Sequence, residues 1–321
     1  MAAENSTELE ARSIVTTRVI DAPRELVFDA FSNPDHLARW WGPNGFSTTT
    51  HAFDMRPGGA WRFTMHGPDG RDYENHIVYD EIVRPERIAY QHGDDKGTIS
   101  FESTITFEDL GGKTRITLRA VFPTKENRDW VAKTHGAVEG GRQTLGRLEE
   151  FLTDNAFVFS RSFDAPRALV WKMWSEEEHL AKWWGPKGFP WVSCKLDFHP
   201  GRTFHYCMKM PNGTEMWGKF VYREIVAPER ILFVNLFSDA EGNTTRGPFM
   251  TDFPLEVLNL VTFTEEGGKT VVTLRGGPIN ATAAERDKFK AMHPSMRGGF
   301  GGTFDQLEGY LADMQNKAGS Q

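Results

Sequence analysis

Cysteine is scarce in this chain: Cys194 and Cys207 are the only two among 321 residues. So low a count excludes a disulfide-stapled secreted scaffold, and two free thiols in a reducing compartment is the simplest reading. A bridge stays geometrically open if the two stand on neighbouring strands. Long apolar runs are missing as well. None approaches the roughly 20 residues that span a bilayer, and the N-terminus, Met-Ala-Ala-Glu-Asn-Ser-Thr-Glu-Leu-Glu, lacks the apolar core of a signal peptide. The expectation is a cytoplasmic protein with no membrane partner. Positive charge is in deficit, since 37 Lys and Arg face 44 Asp and Glu for a formal net charge of −7. That argues against nucleic acid, whose binding needs clustered cations, and against an anionic membrane surface. Also absent are H-E-x-x-H, C-x-x-C and G-x-S-x-G motifs, a phosphate loop and a dinucleotide glycine fingerprint. No catalytic residue, metal or cofactor is therefore assigned.

What the chain does contain, it contains twice. Asp21-Ala-Pro-Arg-Glu-Leu-Val27 through Trp40-Trp41-Gly-Pro-Asn-Gly-Phe46 returns as Asp164-Ala-Pro-Arg-Ala-Leu-Val170 through Trp183-Trp184-Gly-Pro-Lys-Gly-Phe189. Tyr79-Asp-Glu-Ile-Val-Arg-Pro-Glu-Arg-Ile88 returns as Tyr222-Arg-Glu-Ile-Val-Ala-Pro-Glu-Arg-Ile231, and Gly-Gly-Lys-Thr precedes a strand in each copy. A period this long marks whole domains, because solenoid units run roughly 20–50 residues. The boundaries are placed at 13–153 and 157–314, with flexible tails at 1–12 and 315–321 and a very short linker at Thr153–Ala156.

Within a copy the pattern predicts a β-branched strand at Ser13–Ile20. Asp21 is the expected N-cap of a short helix with Pro23 in its first turn. Asn33-Pro34 caps a second helix bearing Leu37, Trp40 and Trp41, and Ser175-Glu-Glu-Glu178 reads as its capping box in the second copy. Six strands follow, near 47–55, 60–66, 72–83, 86–92, 98–108 and 113–122, joined by Gly and Pro turns. A long helix from about Lys125 to Leu152 closes the copy, with Leu145, Leu148 and Leu152 on one face. The second copy repeats the order: strand 157–163, helices 165–173 and 176–184, strands to about 276, and a final helix at about 282–313. It adds an insertion, Asp239–Phe253, readable as a lid or as a tolerated loop.

The order strand, two small helices, antiparallel strands and long helix, with D-A-P-R-x-L-V, H-L-A-[RK]-W-W-G-P-x-G-F, Pro57–Phe63 and E-I-V-x-P-E-R-I, resembles the activator of heat shock protein 90 ATPase homologue domain of the START-like (SRPBCC) superfamily. The resemblance covers nearly the whole chain, twice. It implies an α+β fold of two tandem helix-grip domains, each a curved antiparallel sheet wrapped around a long C-terminal helix with a hydrophobic cavity between. It also implies a small hydrophobic or aromatic ligand as partner. Two rivals remain open: a cyclase- or hydrolase-like enzyme working in the cavity on a polyketide-like or aromatic substrate, and a chaperone ATPase activator acting through its surface.

Candidate cavity residues are Trp40, Trp41, Trp61, Phe63, Met65, His76 and His135 in the first copy. In the second they are Trp183, Trp184, Phe204, Tyr206, Met208, Met296 and Phe300. Adjacent helical residues point about 100° apart, so one tryptophan of each pair can enter the core while its neighbour faces a cavity. Packing alone explains most buried aromatics. Polar groups among the strands are further candidates: His66, Glu74, His92 and Glu102, then His205, Cys207, Lys209, Glu215 and Asn235. Most such residues are simply solvated or satisfied. The glycines at 136, 140, 141 and 146, and those in Gly298–Gly302, each cost about 1 kcal/mol in a helix. They suggest a soft spot or break over the cavity mouth. Finally, Trp61, Phe63 and Met65 become Phe204, Tyr206 and Met208, and Gly141 becomes Phe300 when Thr144 is aligned with Thr303. Either the two pockets differ in shape, or one binds and the other is filled.

Overall fold

The structure, a computed structural model, describes residues 2–93, 99–248 and 250–319. The chain divides into two compact units, Met1–Asp154 and Asn155–Gln321. In the first, helix α1 (Ala2–Ala11) precedes strand β1 (Ser13–Ile20), followed by helices α2 (Arg24–Asp29) and α3 (Pro34–Trp40). Strands β2 (Ser47–Phe53), β3 (Ala60–His66), β4 (Asp72–Val83), β5 (Arg87–Gly93), β6 (Ile99–Asp109) and β7 (Thr114–Val121) lead to helices α4 (Lys125–Thr134) and α5 (Ala137–Asn155). The second unit runs β8 (Phe157–Phe163), α6 (Arg167–Ser175), α7 (Glu177–Trp183), β9 (Trp191–Leu196), β10 (Thr203–Lys209), β11 (Glu215–Val226), β12 (Arg230–Ser238) and the short β13 (Thr244–Thr245). It ends with β14 (Glu256–Glu266), β15 (Lys269–Ile279), α8 (Ala283–Ala291) and α9 (His293–Gly319).

Both sheets are antiparallel and share one strand order, β1-β7-β6-β5-β4-β3-β2 and β8-β15-β14-β12-β11-β10-β9, with β13 added on β12. Bulges break the register between Tyr79 and Glu81 and, at the matching place, between Tyr222 and Glu224. A bulge bends its strand and sharpens the local twist, which curls each sheet toward its last helix. This is the helix-grip α+β fold. Among the described residues no helix is long and apolar enough to cross a membrane.

The first tryptophan of each pair belongs to the core. Trp40 is fully buried and its indole N–H donates to Ala30 O at 3.1 Å; Trp183 does the same to Met173 O at 3.0 Å. A buried indole thus keeps its polar atom satisfied while it hides a ring of about 200 Å². Leu145 and Leu148 in α5, and Phe304 and Leu307 in α9, are wholly buried against the sheets.

Several expectations need correction. Residues 2–11 form a helix, and its end is tied down where the Arg128 guanidinium donates to Ala11 O at 2.7 Å. The far end is helical to Gly319; residues 320 and 321 lie outside the described chain. α5 runs through the expected linker to a buried Asn155 and leaves Ala156 alone before β8. Asp21 is not the cap residue: Pro23 occupies the cap position of α2 without a side-chain bond. Ser175 likewise closes α6, and Glu176 takes the cap position of α7 with no capping hydrogen bond. Asn33 does cap α3, its side chain accepting from Asp35 N at 2.9 Å. The long helix of each copy is two helices. The first copy breaks at Gly136, which has φ +58°, and the second at Met292, whereas Gly298–Gly302 lie inside unbroken α9. Side chains on Gly298, Gly299, Gly301 or Gly302 would meet nothing within 4 Å, and nothing in the structure explains that run. The cysteines stand on neighbouring strands but are free, since the β9–β10 register sets Cys194 opposite Tyr206.

Both copies stitch their first turn to the sheet with one threonine. Thr114 donates to Ala22 O at 2.7 Å and Thr270 to Ala165 O at 2.6 Å, both fully buried. Replacing Thr114 by Val keeps the shape and strands a buried carbonyl, which costs about 1–3 kcal/mol. Urea unfolding of Thr114→Val is expected to show that loss at an unchanged m-value.

Candidate functional site

A cavity of about 1020 Å³ opens in the first domain between the inward face of the sheet and helices α4 and α5. Alternation along the strands decides what lines it. Phe63 and Met65 of β3, Tyr73 and Asn75 of β4, Tyr90 and His92 of β5, Phe101 and Ser103 of β6, and Leu118 and Ala120 of β7 all turn inward. Ile14 and Thr16 close it from β1, and Gly141 and Thr144 from α5. Trp130 of α4 lines the cavity while 58% exposed, so it stands at the opening.

Of the residues singled out from the sequence, Trp41, Phe63, Met65 and His135 are brought together on this wall, with His92 from the wider polar set, whereas Glu74 turns its carboxylate to the opposite face, where Thr64 donates to it at 3.0 Å. Trp40 and Trp61 sit in the core instead. His76 alternates with Asn75 and Ile77 and so projects to the opposite face of β4, as does His66 on β3, where Asp72 holds it at 2.7 Å. Tyr73, Asn75, Phe101 and Trp130 were missed. For the three strand residues the signal was the period of two from Phe63 and Met65, carried across the sheet by a register that sequence alone does not set, and Trp130 stands on α4.

The loop that carries Trp41 is fixed from α5. The Arg147 guanidinium donates to Gly42 O, Pro43 O and Phe46 O at 3.0, 3.0 and 3.1 Å. Gly42 has φ +110°, a region that penalises any side chain, and Gly185 repeats it in the second copy.

The polar centre of the wall is His92. Asn75 donates its amide to Tyr73 O at 2.7 Å, which turns its oxygen toward His92 Nε2 at 2.9 Å. That oxygen accepts the Nε2–H, so Nδ1 is left with a bare lone pair, and Nδ1 has no hydrogen-bond partner. The ring stacks on Phe101 with centroids 4.4 Å apart and planes 8° from parallel. Burial, with a smaller push from His76, lowers the His92 pKa to about 4. The imidazole is neutral at physiological pH and can only accept at Nδ1.

In the second domain the matching space is occupied. Ile14, Thr16 and Gly141 are replaced by Phe157, Phe159 and Phe300, whose rings pack 5.5 and 6.3 Å from one another, and Phe300 lies 6.3 Å from Trp184. Asn75 is replaced by Gly218. A Cβ there would stand 2.5 Å from the Tyr206 hydroxyl, so the tyrosine fills the room the glycine leaves. Burial raises the Tyr206 pKa to about 12, which keeps that hydroxyl protonated. Trp183, Trp184, Phe204, Tyr206, Met208, Met296 and Phe300 thus belong to one packed aromatic core or lie against it. The insertion lies against α8, where Arg246 pairs with Glu285 at 2.5 Å and Lys288 with Asp252 at 3.0 Å.

Comparison with known proteins matches the family model "Activator of Hsp90 ATPase homolog 1-like protein" at residues 21–153 and again at 164–312. No curated protein matches the chain. Among solved structures, a protein from Arthrobacter aurescens is 25% identical over 46% of this chain and 89% of its own, with a TM-score of 0.42. One from Staphylococcus epidermidis is 28% identical over 44% of this chain and 90% of its own, with a TM-score of 0.39. The di-domain ARO/CYC protein BexL from the BE-7585A biosynthetic pathway is 14% identical over 94% of this chain and 98% of its own, with a TM-score of 0.35.

The lowered pKa of His92 has a consequence for stability. Its folded value, about 4, lies below the ordinary 6.5 of the unfolded chain, so unfolding takes up a proton between those limits. The stabilisation is complete above about pH 6.5 and lost as pH falls toward 4, by up to about 3 kcal/mol. His92→Asn, which installs the second domain's Asn235 residue, is expected to flatten this part of the pH profile in urea unfolding. A profile parallel to that of the unmutated protein would contradict it.

Proposed function

We propose that this chain, which belongs to the Activator of Hsp90 ATPase homolog 1-like protein family in both halves, binds a small, flat, largely apolar molecule in its first domain. The second domain serves as a filled structural copy. The observation that carries this reading is the contrast at matched positions, where Gly141 and a cavity of about 1020 Å³ stand against Phe300 and packed rings. A pocket of that size is at the upper end for drug-sized ligands, and aromatic walls with few polar groups suit a polycyclic or long aromatic molecule. The bare lone pair on His92 Nδ1 is shut off from water as the surrounding side chains stand, and a ligand hydroxyl or N–H that displaces them finds an acceptor there. Leaving a buried acceptor unpaired costs about 1–3 kcal/mol, so a donor there supplies selectivity as well as affinity.

The same lone pair supports a second reading, in which His92 takes a proton from an acidic ligand during a cyclase-like reaction. A base with a pKa near 4 is poorly matched to neutral pH, and binding is the reading the site favours. A partner recognised through the outer surface, such as a chaperone, gives no reason for the cavity.

The test is titration with N-phenyl-1-naphthylamine, an uncharged fluorescent aromatic probe. Saturable binding is expected, weakened at least about tenfold in an Ala120→Phe/Ala137→Met variant that fills the cavity from β7 and α5. Urea stability of the variant should change little, because both side chains enter empty space. Undiminished affinity in the filled variant would sink the proposal.

A further inference from the structure

The start of α7 holds a second group of residues that packing does not explain. Glu176, Glu178 and His179 present their side-chain N and O atoms within 4.8 Å of one another. His179 is only 5% exposed, and its Nε2 is buried without a hydrogen-bond partner. Glu176 Oε2 and Glu178 Oε1 stand 3.5 and 3.6 Å from that nitrogen, too far for hydrogen bonds. Those separations are what a shared ion requires: ligand atoms about 2.0–2.2 Å from a tetrahedral zinc lie about 3.3–3.6 Å apart.

The other ring nitrogen completes the pattern. His179 Nδ1 lies 2.8 Å from the Tyr310 hydroxyl on α9. In the tautomer an ion would select, Nδ1–H donates to the tyrosine oxygen and Nε2 turns its lone pair toward the two carboxylates. Metal-bound histidines are commonly oriented in this way by a partner on the far nitrogen. Glu176 sits at the N-cap position yet caps nothing, so its carboxylate is not committed to the helix. Its neighbour Lys172 is 45% exposed, with Nζ 3.6 Å from Glu176 Oε2, and can swing into water when an ion takes that carboxylate.

The first domain supplies an internal control. At the matching positions Glu176 becomes Asn33, whose side chain caps α3, and Glu178 becomes Asp35. Tyr310 becomes Phe151, which has no hydroxyl, and Lys172 becomes Asp29. The matching His36 turns Nδ1 to Asp29 O at 3.3 Å. The histidine is common to both copies and Asp35 keeps a carboxylate opposite Glu178, but the carboxylate at Glu176 and the tyrosine belong to the second alone.

We propose that Glu176, Glu178 and His179 bind one zinc-class divalent cation, with water as the remaining ligand and Tyr310 as the positioning residue behind His179. An imidazole in the set selects against magnesium and calcium, and two carboxylates neutralise the ion's charge. The experiment is isothermal titration of the full chain, freed of metal with a chelator, with zinc chloride. One ion per chain is expected, bound at least about tenfold more weakly in Glu176→Gln/Glu178→Gln, whose exposed side chains leave the core untouched. Tyr310→Phe should weaken binding by about 10- to 100-fold. Absence of saturable one-to-one binding, or unchanged affinity in either variant, overturns the assignment. Because the cavity lies in the other domain, this result is independent of whether an aromatic ligand binds there.

Discussion

The concave face of a bent sheet and the helix that crosses it are separated by whatever side chains stand between them, and a protein interior tolerates few unfilled gaps. In the second domain Phe157, Phe159, Phe300 and Tyr206 meet that demand directly. In the first, Gly141 carries no side chain at all, and a Cβ there would stand 2.8 Å from Thr16 Oγ1. Helix and strand approach closely at that point while the space beside them stays open. The binding proposal follows from this difference between two versions of one closure.

Much of the architecture was legible because duplication made it so. A turn, a helix start or a strand that recurs with its spacing intact has been tested twice against the same fold, and the strand ranges fell within a residue or two of the observed ones. The failures have physical causes. Residues 2–11 carry one large apolar side chain, Leu9, so no apolar stripe marks their helix, and its end is tied down through Ala11 O. Asp21 and Ser175 are good capping residues placed one or two positions too early, where Pro23 and Glu176 set the boundary instead.

The cavity was harder to read than the fold. Trp41, Phe63, Met65 and His135 could be named from helical and strand periodicity, but His76 could not be told from Asn75 without knowing which face of β4 the bulge leaves inward. Tyr73 and Asn75, Phe101 and Trp130 come from three separate elements, and the strand register together with the placement of α4 brings them to one wall. The metal-ligating group was invisible for a related reason. Its Glu176, Glu178 and His179 are adjacent in sequence, yet their meaning depends on Tyr310, which sits 131 residues beyond His179. Divergence between copies was the one sequence signal that pointed toward the cavity, through the change of Gly141 to Phe300.

The number of ligands bound per chain distinguishes an open first domain from a filled second one most directly. Native mass spectrometry of the intact chain, saturated with an uncharged aromatic probe, counts occupied cavities without reference to which residues line them. One molecule per chain is the predicted result, because the first domain holds the cavity and the rings of Phe157, Phe159 and Phe300 pack into the matching space of the second. Two per chain would contradict the claim that the second domain is filled, and none would remove the binding function itself.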